Sequence, residues 1–183
     1  MLVNTLTTET GCKAFLLDQV LEQTWLDRLH TMCNTAKLGT DPWPLAAHFG
    51  GRPRYLHNET GQDWTELVAY FASAEFLASF EQLVGHPLKY SVASIWADQR
   101  GFGALGPHKE QGGAYMMQIY LTDQPHDWTG TTIYNEAGQV LVQMPYRDNF
   151  AWFFHGMQVM HGRHHDVPEG LTRFTLQIWM DHK

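Results

Sequence analysis

Between residues 18 and 37 apolar side chains recur at Val20, Leu21, Trp25, Leu29, Met32 and Cys33, and Gly39 follows as a stop. That spacing puts one greasy stripe along an amphipathic helix. DWTELVAYFASAEFLASFEQLVGHP carries the same period and predicts one broken or two short helices. Asp63 and Glu66 form a capping-box-like start there, Ser73 a second cap, and Gly85 and Pro87 the end. The intervening LGTDPWPLAAHFGGRPRYLHNETGQ is rich in Gly, Pro and His and reads as a long functional loop, suited to a lid or substrate loop. From Lys89 onward the period shortens to that of strands. KYSVASIWAD, AYMMQIYLTD, TTIYNEAGQVLVQMP with a turn at Glu136 to Gly138, NFAWFF and TRFTLQIWM all show it.

Helices followed by many antiparallel-looking strands imply an α+β chain. The expected core is a double-stranded β-helix, the jelly-roll arrangement of two facing sheets also found in cupins, with N-terminal helices packed outside. One domain over 1–183 is expected, helical to about residue 87 and β-helical from about 88. The length suits this, since 183 residues bury a sizeable core and fall short of two ordinary domains. A formal charge of -7 and the lack of a basic run argue against a nucleic-acid partner. Cys12 and Cys33 have no metal-binding spacing, so reduced thiols are expected. The start, MLVNTLTTETG, lacks the basic and apolar regions of a signal peptide, and no apolar run is long enough to span a bilayer. A cytoplasmic location and no membrane partner are therefore expected.

Candidate chemistry concentrates in the second half. His108 and Glu110 form a His-x-Glu pair in GPHKEQGG, and in an extended segment side chains at i and i+2 point to one side and can grip one ion. His161, in VMHG before the last strand, can supply a third ligand. Two histidines and a carboxylate occupy one face of a six-coordinate site and leave the other open, as non-haem iron(II) oxygenases require. Zinc accepts the same ligands. The last strand favours iron: Arg173, Thr175, Gln177 and Trp179 share one parity, Phe174, Leu176, Ile178 and Met180 the other. An arginine turned to an interior requires a partner of opposite charge, and a dicarboxylate cosubstrate would provide it.

The ordered set HKE, QIYLTD, GTT, VMHG and TRFTLQIW resembles the 2-oxoglutarate and iron(II)-dependent dioxygenase superfamily, and within it the prolyl-hydroxylase-like members. The resemblance covers roughly the second half of the chain. It implies that His108, Glu110 and His161 bind Fe(II), that Arg173 pairs with the distal carboxylate of 2-oxoglutarate, and that Thr175 and Tyr120 assist at that carboxylate. It also implies O2 as cosubstrate and release of succinate and CO2. The chain departs from the commoner pattern in using Glu at position 110, where Asp is more usual. Halogenases of the superfamily replace this carboxylate with a small residue to admit halide, so its presence favours hydroxylation, with desaturation and ring formation open.

Several alternatives stay open. His164 or His165 can replace His161 as distal ligand after a register change, although with Asp166 they read as a solvated polar turn. Asp98 can in principle replace Glu110 but lacks the His-x-Glu spacing, and His155 reads as a supporting or surface histidine. Arg52, Arg54, Arg100 and Arg147 can hold a substrate carboxylate or phosphate, against a plainer reading as surface arginines. Trp43, Trp128 and His126 can line the mouth, against edge packing. The expected substrate is a small molecule or an amino-acid or prolyl side chain. Two rivals remain, a cupin-like metal enzyme that uses no 2-oxoglutarate and a non-catalytic β-sandwich binding protein.

Overall fold

The protein is described from a computed structural model covering every residue except His48, Phe49, Glu59 and Trp128. Trp128, a candidate for the mouth, thus lies outside the described residues. Two antiparallel sheets face one another. The large one has seven strands in the order β1 (Leu2–Thr7), β2 (Lys13–Asp18), β9 (Phe150–His155), β6 (Tyr115–Leu121), β11 (Arg173–His182), β4 (Leu88–Asp98) and β3 (Arg54–Leu56). The small one has four, in the order β5 (Leu105–His108), β10 (His161–Arg163), β7 (Thr132–Tyr134) and β8 (Val140–Gln143). From Leu88 onward the chain passes back and forth between the sheets, which is the jelly-roll path.

Strand parity explains why the large sheet is covered on both faces. Ala93, Ile95 and Ala97 of β4, Met117, Ile119 and Leu121 of β6, Ala151 and Phe153 of β9, and Leu176, Ile178 and Met180 of β11 belong to one buried cluster. That cluster includes Leu26 and Leu29 of α1 (Gln23–Asn34), Trp64 and Leu67 of α2 (Gln62–Phe71), and Phe76 and Phe80 of α3 (Ala74–Val84). The alternate residues, including Met116, Tyr120, Trp152 and Phe154, turn the other way and pack with Ile133, Met144 and Val159. Alternation at period two makes this division possible. No single helix is long and apolar enough to cross a membrane among the described residues.

Three local readings are corrected. Residues 1–87 are not helical throughout, because β1, β2 and β3 all add to the large sheet. β1 is exposed along most of its length at the sheet edge, so it lacks the one-sided burial that marks a strand in sequence. The stretch that reads as a long loop contains β3, which pairs with β4 and buries Arg54. Asp63 and Glu66 do not cap α2, whose N-cap is Gly61 without a side-chain bond; both carboxylates accept from Arg28 Nη2 instead. Ser73 does cap α3, its Oγ accepting from the Phe76 N–H at 3.2 Å, and Gly85 ends that helix in the left-handed conformation. Cys12 and Cys33 are both free thiols, and burial pushes that of Cys33 well up.

Candidate metal centre and cavity

His108 ends β5 and His161 begins β10, and the antiparallel register sets them directly opposite each other. Their rings lie 4.6 Å apart. Gly162 permits the pairing: a Cβ there would sit 2.3 Å from the Leu105 carbonyl oxygen and 2.7 Å from that of Gly106. Glu110 follows β5 and is held from behind, its N–H donating to the Gly156 oxygen at 3.0 Å. A Cβ on Gly156 would stand 3.4 Å from the Glu110 side chain and 3.1 Å from the Trp179 ring, so glycine leaves room for both.

One donor atom from each of His108, Glu110 and His161 lies within 4.8 Å of the others, the group that among the described residues could hold a metal ion. The proton positions strengthen this. His108 Nδ1 is 2.8 Å from the Gly106 carbonyl oxygen and His161 Nδ1 is 3.0 Å from that of Val159. A carbonyl only accepts, so each Nδ1 is assigned the hydrogen and each neutral ring presents an Nε2 lone pair. Those lone pairs point at the carboxylate, with Glu110 Oε1 3.2 Å from His161 Nε2 and 3.9 Å from His108 Nε2. Acceptor facing acceptor requires a positive charge between, a second proton or a cation. Backbone carbonyls that fix the tautomer are the usual outer support of metal-bound histidine. When that second proton sits on His161 Nε2 and is donated to the Glu110 carboxyl, the carboxyl, aided by nearby positive charge, is held below its ordinary range against the opposing effect of burial. Ionised carboxylate and bare imidazole nitrogens are the donor set Fe(II) or zinc takes. His164 and His165 are both exposed and lie outside this constellation.

The triad opens on a cavity of about 480 Å³ between the sheets. Arg54, Trp96, Gln118, Arg173, Gln177 and Trp179 line it from the large sheet, and Leu105, Gly162 and Arg163 join the two histidines from the small one. The polar parity read from the last strand thus faces a cavity. Arg173 is buried at its floor, with Nε donating to the Thr129 oxygen at 2.7 Å and Nη1 3.4 Å from Asp98 Oδ2. Asp98 therefore already supplies the opposite charge that the sequence assigned to a cosubstrate, and it is a counter-ion rather than a metal ligand. Tyr120 is fully buried beside Arg173, its ring 5.4 Å from the guanidinium, and its hydroxyl accepts from the Thr131 N–H at 2.7 Å. Burial raises the phenol's pKa, and Arg173 opposes the shift. Thr175 Oγ1 is buried with no hydrogen-bond partner, as expected where a ligand acceptor belongs.

Other candidates fall elsewhere. Trp43 packs with His57 and Phe174 on the helix-covered side, so it does not line the mouth. Arg100 pairs with Glu169 on the surface, Arg147 pairs with Asp18, and Arg52 donates to the Phe102 oxygen at 3.2 Å. His126 bridges Tyr146 through the backbone, and His155 ends β9 beside Tyr115. Arg54 is not a surface arginine. It is buried against Trp96 at 4.2 Å. Arg163 was missed altogether: it is buried, donating to Asp98 Oδ2 at 2.9 Å, to the His165 oxygen at 2.9 Å and to the Gly103 oxygen. Its signal was parity, two residues beyond His161 on the same side of a strand too short to show a pattern. Burial, then repulsion by Arg173, lowers its pKa to about 10.

No model of a known family matches the sequence, and no curated protein matches it. Solved structures do match in fold. The non-heme alpha-ketoglutarate-dependent epimerase SnoN from nogalamycin biosynthesis superposes with a TM-score of 0.68 at 15% identity, over 92% of this chain and 77% of that one. A Pseudomonas putida prolyl-4-hydroxylase gives 0.64 at 14% identity, over 93% and 92%. HygX from Streptomyces hygroscopicus, solved with nickel, 2-oxoglutarate and hygromycin B bound, gives 0.62 at 11%, over 93% and 83%. The chain has the fold of the 2-oxoglutarate/iron(II) oxygenases.

Proposed function

We propose that the protein is an Fe(II)- and 2-oxoglutarate-dependent oxygenase acting on a small molecule or an amino-acid-type or prolyl group, with hydroxylation as the favoured outcome. The carrying observation is the convergence of His108, Glu110 and His161 at the mouth of a cavity whose floor holds a buried arginine. His108 and His161 would bind the metal through Nε2 and Glu110 through its carboxylate. Arg173 would take the distal carboxylate of 2-oxoglutarate, for which its bonds to Thr129 and Asp98 fix the guanidinium plane. The Tyr120 hydroxyl and Thr175 Oγ1 would complete that contact. Bound together, iron, 2-oxoglutarate and O2 supply an oxidant strong enough for an unactivated C–H bond. The chain's own work is positioning and exclusion of water, for which Trp96, Leu105 and Trp179 form the walls. Similarity in fold to SnoN, HygX and a prolyl-4-hydroxylase supports the cofactors and leaves the substrate open.

One observation favours a rival. Asp98 gives Arg173 a structural role, as expected of a cupin-like enzyme that does without 2-oxoglutarate. Anaerobic titration of the purified protein with Fe(II) and 2-oxoglutarate separates the two. A saturable visible charge-transfer band that needs both components, and that Arg173→Ala abolishes while metal uptake persists, is the expected result. Metal binding without a band supports the rival, and unchanged 2-oxoglutarate affinity in Arg173→Ala overturns the assignment.

A further inference from the structure

Two side chains in the cavity wall carry hydrogen-bond donors that the protein itself does not use. Gln118 of β6 and Gln177 of β11 are directly opposite each other in the large sheet, and both line the cavity. Gln177 Oε1 accepts from Trp96 Nε1 at 3.0 Å. An indole nitrogen only donates, so the amide atom facing it must be the oxygen, and chemistry alone settles how the group is turned. Its NH2 has no acceptor among the described residues. Gln118 is 7% exposed. Its Oε1 accepts from Thr131 Oγ1, and its Nε2 meets the Met116 sulfur at 3.7 Å. A thioether has no hydrogen to give, which puts the NH2 rather than the oxygen on that side, and it is a weak acceptor for one of the two N–H groups. A buried amide donor this poorly matched is costly unless a ligand completes it.

The depth of the pair in the cavity identifies the ligand, on the reading of the site as an iron and 2-oxoglutarate centre, on which this inference rests. Cavity-facing residues of β6 and β11 form rows, each about 6.7 Å from the next. Tyr120 and Thr175 make the row at the floor, where the Tyr120 ring neighbours the Arg173 guanidinium. Gln118 and Gln177 make the next row, and Met116 and Trp179 the third. The Trp179 ring is level with Glu110, since one Cβ added to Gly156 would crowd both. A molecule with a carboxylate on the floor row that also reaches the metal must therefore pass the amides. For 2-oxoglutarate the part that arrives there is the 2-oxo acid end, whose near carboxylate keeps an oxygen that the metal does not take. An anionic oxygen accepts strong hydrogen bonds from neutral N–H groups.

We propose that Gln118 and Gln177 bind the near carboxylate of 2-oxoglutarate through their amide N–H groups, and so fix the orientation of its 2-oxo acid end.

The test titrates the anaerobic Fe(II)-loaded protein with 2-oxoglutarate and with 2-oxopentanoate, which keeps the 2-oxo acid end and lacks the distal carboxylate, while the charge-transfer band is recorded. Gln118→Met and Gln177→Met should each weaken both ligands about tenfold or more, by similar factors, with Fe(II) affinity unchanged. The band should also move to shorter wavelength. A hydrogen bond draws electron density from the chelating group, and its loss raises the level that receives the metal's electron. An amide with a purely structural role would leave the band in place. Should Gln118→Met fail to fold, Gln118→Glu keeps the acceptor for Thr131 Oγ1, removes the donors, and should weaken both ligands at least as much. Unchanged affinities, a loss confined to 2-oxoglutarate, a band that does not move, or no band with 2-oxopentanoate in the wild-type protein each overturn the inference. A band missing from the wild-type protein with 2-oxoglutarate itself counts instead against the iron and 2-oxoglutarate reading.

Discussion

On its helix-covered face the large sheet presents Ile95, Ile119, Phe153, Leu176 and Ile178, whose partners are other apolar side chains. Its opposite face, from the same strands, presents Gln118, Arg173 and Gln177 to the cavity, with Asp98 buried beside Arg173. Contacts on the first face are numerous, weak and interchangeable, so volume and patterning matter more than identity. On the second each polar group depends on particular partners: Arg173 on Asp98 and Thr129, Gln177 on Trp96, Gln118 on Thr131. One face holds the sheet together and the other sets the positions of charges. A substitution should therefore damage stability or ligand binding according to the face it touches.

The largest expected effect is on the cavity side. His161→Ala or Glu110→Ala should lower Fe(II) affinity by more than about 100-fold, since losing even an outer-shell partner typically costs 10–100-fold. His164→Ala and His165→Ala, on the exposed turn just beyond, should change it little. Equal losses across the four, measured by anaerobic metal titration, would move the distal ligand to that turn. On the other face, Leu176→Ala removes a fully buried side chain from the helix-packed cluster. It should cost about 2–5 kcal/mol in urea unfolding, with the metal affinity of the folded protein retained. A loss of metal affinity without a loss of stability would show that the two faces are not separable.

Sequence reading reached both faces by different routes. Period-two alternation in KYSVASIWAD, AYMMQIYLTD and TRFTLQIWM located the central strands, because each buries one side against helices and turns the other toward the cavity. Chemistry, not periodicity, located His108, Glu110 and His161. Elements of three or four residues left no pattern, so β3 lay within an expected loop and β5 and β10 were not among the expected strands, and with them went the burial of Arg54 and Arg163. Asp98 was legible as a carboxylate ending a strand, on the parity of Ser94 and Trp96. Its role as the shared counter-ion was not, because that depends on register among β3, β4 and β11 and on a reach across from the small sheet.

The smallest effect concerns a titratable ring packed among the apolar side chains of the helix-covered face. His57 is buried between Trp43 and Trp64, with ring centroids 5.1 and 5.6 Å away, and its backbone N–H donates to the Ile95 oxygen at 3.0 Å. Burial holds its imidazole below the ordinary pKa, only partly opposed by Asp41. Above the unfolded value of about 6.5 the ring is neutral in both states and pH has no leverage through it. As pH falls through that value the unfolded chain takes up a proton that the folded chain resists, so stability should decline from about pH 6.5 downward until the folded group also titrates. Urea unfolding at a series of pH values should show the decline in the wild-type protein and a shallower one in His57→Asn. Identical slopes would mean that the ring is protonated as readily inside the fold as outside, and that this face accepts a charge after all.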